Sequence, residues 1–255
     1  MNARQLMAGK TWNIAQIRGH EIEVSPWFLG ILAFFVLAGL GDFNRIFHQL
    51  MWVPVLFLSI LLHELGHAAA TKKCGFGTSK IILHGFGGVA INRRSRTKPN
   101  DGMFIALAGP AVTLALALVF GGLHFGFGAL TAGSVPTGVD VIGHFLGLMV
   151  LANLFWFVLN MLPIFPLDGG QTLMHFFRKK GSTQSKATAK AAKISLGTIA
   201  VVALLTLLVF QVGGILILII FGYLGYMNWQ VLQRAQQGGG PGGPGGGMGM
   251  MRFRR

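Results

Sequence analysis

The chain has 255 residues, of which 53% are hydrophobic and only 11% are charged, and its mean hydropathy is +0.62. This composition is too apolar for a soluble globular domain and indicates a polytopic membrane protein. The net charge of +14 also fits a nucleic-acid-binding protein. That class is disfavoured because the basic residues flank apolar segments and have no nucleic-acid-binding motif around them.

Six apolar segments predict membrane-spanning helices. They cover residues 26–41, 50–70, 102–123, 140–162, 194–211 and 213–232. The first is expected to remain as a membrane helix, because it begins after about two dozen mixed residues and lacks a small-residue cleavage pattern. We therefore expect an N-terminal arm (1–25) with a strand-like segment, a six-helix membrane domain (26–235), and a flexible Gly/Pro-rich basic tail (236–255).

The basic residues predict the orientation of this topology, because they accumulate in cytoplasmic loops. Of the 21 Lys and Arg residues, only Arg45 falls between the first and second spans. The others lie in the arm, after the second and fourth spans, and in the tail. Both termini and the end of the second span should therefore face the cytoplasm. Cys74 is the single cysteine, so no internal disulfide is possible.

The second predicted span ends in an HExxH motif. On a helix, His63 and His67 share one face, so both imidazoles can bind one zinc ion while Glu64 projects beside them toward a metal-bound water. Such a short pattern also occurs by chance on solvated helices. Here, however, Glu64 is the only acidic residue between Asp42 and Asp101. An ionisable group in hydrocarbon costs roughly 2.5 to 3.5 kcal/mol, which a metal would offset.

A catalytic zinc usually has three protein ligands, so the histidine pair needs a third. No Glu follows Glu64, which excludes proteases with a downstream Glu ligand. In the extended HExxHxxGxxH pattern the Gly and His positions are occupied here by Ala70 and Lys73, which excludes that class too.

Three aspartates remain as candidates. Asp140, with its neighbour His144, lies at the outer start of the fourth span, on the wrong side of the membrane. Asp101 precedes the third span, where a helix N-cap is expected. Asp168 follows the fourth span at the cytoplasmic end. Two nearby prolines interrupt helical hydrogen bonding and two following glycines allow a sharp turn, so its carboxylate can aim sideways. The alternative role for Asp168 is the N-cap of a helix over 171–177.

These features together resemble the site-2 protease family of intramembrane zinc metalloproteases, in a compact form without a PDZ or CBS domain. The matching elements are HELGH at 63–67, Ala-Gly-Pro at 108–110 in the next span, and the NxxPxxPLDGG element at 160–170. They cover three core spans, and their combination is far more specific than HExxH alone.

The resemblance implies a role for each matching residue. His63, His67 and Asp168 correspond to the ligands of one Zn²⁺ per chain, and Glu64 corresponds to the general base. Asn160 matches the family asparagine that holds the substrate backbone near the scissile bond. We expect His84 to be a polar loop residue and His175 to lie on the surface.

The resemblance also implies a fold and a function. We expect an all-α polytopic membrane protein with six transmembrane helices, a three-helix catalytic core and a small membrane-associated β-sheet from residues 12–24 and 79–91. It would cleave membrane-spanning proteins near the cytoplasmic face of a prokaryotic inner membrane, in regulated intramembrane proteolysis. A sheet edge could bind extended substrate through the Gly85, Gly87 and Gly88 segment, or the segment could be a hairpin with no substrate role.

Two other classes of protein remain open on the sequence. One is a zinc-binding membrane protein that transports or senses without hydrolysis, and the other is a proteolytically silent regulator. The intact Glu64 argues against the first, because a scaffold or sensor needs no general base. The partners expected for the protease are a membrane-spanning substrate and the lipid bilayer, with a regulatory membrane protein or a second copy of the chain as a further candidate.

Overall fold

The computed structural model describes residues 10–37, 43–85, 87–92, 97–131, 137–210 and 214–237. Within these ranges the chain is mostly helical, with one small sheet, as predicted. The elements in chain order are β1 (Trp12–Ile17), β2 (His20–Val24), α1 (Pro26–Leu37), α2 (Phe43–Leu50), α3 (Trp52–Lys73), β3 (Lys80–His84), β4 (Gly87–Ile91), α4 (Pro99–Thr131), α5 (Thr137–Met161), α6 (Asp168–Lys179), α7 (Gln184–Phe210) and α8 (Ile215–Gln236).

Five stretches of helix in the described residues are long and apolar enough to cross a membrane: His48–Lys73, Pro99–Thr131, Val141–Met161, Gln184–Val209 and Ile215–Gln236. They match the second to sixth predicted spans. The first predicted span corresponds to α1, which has 12 residues. At 1.5 Å per residue, α1 is shorter than the hydrocarbon core of about 30 Å. Six spans therefore stay a prediction.

Three features predicted from sequence lie wholly or partly outside the described residues. They are residues 38–41 at the end of the first span, residues 211 and 213 where the fifth and sixth spans adjoin, and residues 238–255 of the tail. The boundaries of the arm, the membrane domain and the tail also stay predictions.

The strand predictions are confirmed by a four-stranded sheet in the order β1-β2-β3-β4. β1 and β2 are antiparallel, β2 and β3 parallel, and β3 and β4 antiparallel. The parallel register pairs Ile22 with Ile81 and Val24 with Leu83, so four apolar side chains share one face. This face packs against α1 and α3. β1 and β4 are the two edge strands.

Close contacts divide the chain into two compact units. Of the described residues, the first contains those within 10–92 and 108–158, and therefore the sheet, α1 to α3, most of α4 and most of α5. Its second apolar cluster joins α3 to α5 through Val55 and Met149. Of the described residues, the other unit contains 97–107, 159–210 and 214–237. There, Ile164, Ile199 and Phe221 form an apolar cluster between the segment before α6 and the helices α7 and α8.

The prediction that Asp101 is a helix N-cap is wrong by three residues. Helix α4 begins at Pro99, so Asp101 lies inside its first turn. Proline suits the first helical position, because a backbone N–H there would have no hydrogen-bond partner within the helix and proline has none. Asp101 still has a favourable position, since a carboxylate in the first turn complements the helix dipole.

Candidate metal centre

The HExxH motif lies in the second half of α3, in the first compact unit. His63 and Glu64 are 3% and 5% exposed, and His67 is 9% exposed. The two imidazoles are nearly perpendicular, and their Nε2 atoms are 3.1 Å apart. The prediction that both histidines share one helix face is therefore confirmed.

The distance between the two Nε2 atoms fits zinc coordination. Zn–N bonds of about 2.0–2.1 Å at a tetrahedral angle place two ligand nitrogens roughly 3.3 Å apart. An N–H···N hydrogen bond between the rings accounts for the same contact when no metal is bound. A buried pair of imidazoles directed at one point suits a borderline-soft cation such as Zn²⁺.

Two glycines bring α3 and α4 close together at this site. A Cβ atom on Gly66 would lie 2.8 Å from the carbonyl oxygen of Ala108. A Cβ on Gly109 would lie 2.3 Å from Nε2 of His67 and 2.7 Å from Nε2 of His63. The HELGH and Ala-Gly-Pro motifs are therefore in direct contact, and Gly109 keeps open the space in front of both Nε2 atoms.

This contact predicts a large effect for Gly109→Ala. The added methyl group would occupy the position toward which both imidazoles point, so we expect zinc content of the purified protein to fall far below one ion per chain. Gly122→Ala is a matched control on the same helix, because no atom lies within 4 Å of a Cβ built there. Equal zinc content in the two variants would contradict this role for Gly109.

The edge strand β4 lies against Glu64. A Cβ on Gly88 would lie 2.3 Å from Cγ of Glu64, so only glycine fits at this position without displacing the carboxylate. Gly87 has a positive φ of 124°, which favours glycine, and Gly85 packs against the carbonyl oxygen of Trp27. Gly85 and Gly88 therefore have a packing reason and Gly87 a conformational one, and Gly88 also shapes the surroundings of Glu64.

His84 is the last residue of β3 and pairs with Gly87 across the hairpin, so its assignment to a loop is wrong by one position. Three consecutive buried apolar residues precede it in β3, and the pairing with Gly87 extends the strand through His84. Burial lowers the pKa of His84 below its ordinary value, which favours the neutral imidazole.

Asp168 lies in the second compact unit and is the first residue of α6. Its side chain is 6% exposed. The N-cap position belongs to Leu167, whose backbone is extended. The alternative assignment of Asp168 as an N-cap is therefore wrong, because the helix begins three residues earlier than predicted.

The two glycines after Asp168 are needed for a different reason from the one inferred from sequence. Both lie inside α6, so they do not provide a sharp turn. A Cβ on Gly169 would lie 2.3 Å from the carbonyl oxygen of Leu162, and a Cβ on Gly170 would lie 2.7 Å from that of Ile164. Glycine thus allows the first turn of α6 to pack directly on the backbone that precedes it.

Asn160 lies in the last turn of α5 and is half-buried, also in the second unit. The expectation that His175 lies on the surface is wrong. His175 is 8% exposed, and its ring packs on α4 where Gly102 leaves room for it. Burial, together with the neighbouring Arg178, lowers the pKa of His175 to about 4.

The chain matches the model of peptidase family M50 over residues 51–140 and 130–206. It is 34% identical over 182 residues to a zinc metalloprotease of Methanocaldococcus jannaschii, covering 70% of this chain and 49% of that protein. It is 30% identical over 179 residues to stage IV sporulation protein FB of Bacillus subtilis, covering 70% and 53% respectively. The chain thus spans about half the length of the curated relatives it matches.

A solved structure, the site-2 protease from Methanocaldococcus jannaschii, is similar along most of its length. The TM-score is 0.56 and the sequence identity 28%, and the match covers 90% of this chain and 95% of that one. A match of this extent includes residues of both compact units.

Proposed function

Since the chain belongs to peptidase family M50, which confirms the resemblance inferred from its motifs, we propose that it is an intramembrane zinc metalloprotease. It hydrolyses peptide bonds of membrane-spanning proteins near the cytoplasmic face. The observation that carries this proposal is the convergence of the buried His63 and His67 nitrogens, beside a buried Glu64, on an apolar helix long enough to enter a bilayer.

We propose Asp168 as the third zinc ligand. With the two histidines it offers two imidazole nitrogens and one carboxylate oxygen, a donor set that zinc accepts in hydrolytic sites. Asp168 is buried and is not the N-cap of its helix, so capping does not account for a carboxylate at this position. Three protein ligands are the number usual for a catalytic zinc ion.

Glu64 is the residue that moves protons in the proposed reaction. A bound zinc ion supplies Lewis-acid chemistry: it acidifies water and withdraws electron density from a peptide carbonyl. The Glu64 carboxylate accepts a proton from the attacking water and then donates it to the amide nitrogen of the leaving peptide. Gly88 holds this carboxylate from the sheet side, which limits its rotamers. Burial of the site restricts access by bulk water.

We propose that the substrate binds in an extended form along β4. This strand is an edge of the sheet and contacts the Glu64 side chain, so a peptide added there would lie beside the general base. Local unwinding is needed in any case, because an intact helix hides its carbonyl groups from a nucleophile. Asn160 would hold the substrate backbone near the scissile bond.

Crosslinking tests this binding mode. In a Cys74→Ser background, we expect a cysteine introduced at Ala90 in β4 to crosslink to a single-span substrate, because the peptide would run beside it. A cysteine at Ala15 in β1, the other edge strand, is the control. Equal crosslinking at both positions would rule out a specific role for β4.

The proposal also covers the topology of the membrane domain, its location, its process and its partners. The membrane domain would have six spans with a three-helix core and both termini in the cytoplasm, in a prokaryotic inner membrane. Regulated intramembrane proteolysis is the process we propose for it, with a regulatory membrane protein or a second copy as partner. The basic residues beside the predicted spans support the orientation, and protease accessibility of each terminus in sealed vesicles would test it.

Metal dependence separates hydrolysis from a non-hydrolytic zinc protein or a silent regulator. We expect a chelator to stop cleavage of a single-span substrate by the purified protein, and added zinc to restore it. Cleavage that persists without metal would contradict the proposal. Bound zinc without cleavage of any substrate would favour the non-hydrolytic classes.

A further inference from the structure

We infer that Ser195 in α7 and Asn228 in α8 are positioning residues for Asp168. Both are fully buried polar residues in helices apolar enough to span a membrane. Polar groups at such positions are expensive, and they are normally paired and functional. The inference rests on the proposed function, because it assigns these residues to the support of a proposed zinc ligand.

The segment between α5 and α6 cannot pair all of its backbone N–H and C=O groups in hydrogen bonds of its own. Pro163 and Pro166 have no N–H, so the regular helical hydrogen bonds fail there. Unpaired peptide groups at membrane depth cost several kcal/mol each, and irregular backbone therefore needs partners from elsewhere. Two short backbone bonds remain, from the N–H of Ile164 to the oxygen of Leu162 and from the N–H of Leu167 to the oxygen of Ile164.

Side chains from two predicted spans, α7 and α8, supply hydrogen-bond partners for the backbone of Phe165. The Phe165 N–H donates to Oγ of Ser195 over 3.3 Å, and the Phe165 carbonyl accepts from Nδ2 of Asn228 over 2.7 Å. The Ser195 hydroxyl also lies 2.9 Å from the carbonyl oxygen of Pro163, to which it can donate. Both polar groups of one peptide residue are thus held by side chains, three residues before Asp168.

The same two side chains are anchored in their own helices. Nδ2 of Asn228 also donates to the carbonyl oxygen of Leu224 over 2.8 Å, and Oγ of Ser195 lies 2.9 Å from that of Ala191. Neither side chain can therefore rotate freely. The segment is fixed relative to α7 and α8, which pack on each other, and α7 also packs on α6.

The position of this segment is passed on to Asp168 by close packing. Gly170, two residues after Asp168, leaves no space for a Cβ against the Ile164 backbone, so movement of the segment moves the first turn of α6. The Pro166 carbonyl also accepts from Nε2 of Gln171 over 3.0 Å. Ser195 and Asn228 thus determine where the Asp168 carboxylate lies without touching it.

The test is the zinc dissociation constant of the full-length protein in detergent, measured by competition with a chromophoric chelator. We expect Ser195→Ala and Asn228→Ala each to weaken zinc binding by about 10- to 100-fold, the loss typical of groups that orient metal ligands. Ser195→Thr keeps the hydroxyl and should bind zinc more tightly than Ser195→Ala. The double variant should lose less than the product of the two single effects, because both residues hold one peptide.

Thr206→Val is the matched control. Thr206 is a buried hydroxyl on the same helix α7 and donates to the carbonyl oxygen of Val202 in that helix. Its variant should bind zinc like the wild type, even if its thermal stability falls. If Ser195→Ala and Asn228→Ala also stay within about twofold of wild type, the inference is overturned; if Asn228→Ala does not fold, Ser195→Ala decides, since it removes a single oxygen atom.

The same measurement separates this inference from the proposed function. Absence of zinc binding by the wild type would overturn both. Zinc binding that depends on His63 and Asp168, but not on Ser195 or Asn228, would overturn only the inference. A structural role alone would lower thermal stability and leave the zinc affinity of the folded protein unchanged.

Discussion

Glu64→Gln should abolish cleavage and leave zinc bound. The substitution keeps the shape of a side chain that is enclosed by α3 and Gly88, but it removes the group that accepts and returns the proton. General acid–base groups contribute about 10²- to 10⁴-fold to rate, so cleavage of a single-span substrate should fall by at least 100-fold. Metal content, measured on the same preparation, should stay at one zinc per chain, because Glu64 is not a ligand.

Glu21→Gln is the matched control for this experiment. Glu21 is an exposed carboxylate of β2 in the same compact unit, so its loss should change neither zinc content nor cleavage. Retained cleavage in Glu64→Gln would contradict the assignment of the general base. Loss of zinc in that variant would instead indicate that Glu64 contributes to metal binding.

Asp168→Asn is expected to weaken zinc binding by more than about 100-fold, beyond the loss typical of groups that only orient ligands. The amide is a weaker donor than the carboxylate and carries no charge to balance the metal. Asp168→Ala removes the donor completely and should bind still less zinc. Cleavage should fall in parallel with zinc occupancy and recover in part at high zinc concentration for Asp168→Asn.

Asp101→Asn controls for the loss of a carboxylate in the first turn of a helix. Asp101 lies in the first turn of α4, in the same compact unit as Asp168, and α4 is also expected to gain from the dipole interaction. This variant should bind zinc normally. If Asp168→Asn and Asp168→Ala also keep wild-type affinity, the third ligand must be another residue.

The features that were predictable from sequence depend on local periodicity or on hydrophobic length. The i and i+4 spacing places His63 and His67 on one helix face whatever surrounds that helix, and the second to sixth spans follow from runs of apolar residues. The alternation in 12–24 and 79–91 likewise predicts strands. The HELGH and Ala-Gly-Pro motifs also identified two segments that contact each other, but not that two glycines make the contact possible.

The features that were missed depend on contacts between segments far apart in sequence. His175 was expected on the surface, but it is buried because a glycine on another helix, Gly102, leaves room for its ring. Nothing in the residues next to Gly109 in the sequence indicates that it faces the imidazoles of His63 and His67. Ser195 and Asn228 could have been suspected as polar residues in apolar spans, yet only tertiary structure identifies Phe165 as their common partner.

Helix starts were the least accurate local prediction. The first turn of α6 contains Asp168 followed by two glycines, residues with low intrinsic helix propensity, so the sequence favours a later start. Packing of Gly169 and Gly170 on the preceding backbone stabilises the earlier one. Tertiary contact thus overrides propensity beside the proposed ligand.

The reaction proposed for this protein is hydrolysis of a peptide bond within a membrane-spanning segment. The most direct measurement is the mass of the products formed when the purified protein is incubated with a panel of single-span membrane proteins. We expect product masses that place the cut inside the span near its cytoplasmic end, and no such products with Glu64→Gln. Products that arise only from cuts outside the span, or that are equally abundant with Glu64→Gln, would contradict the proposed function.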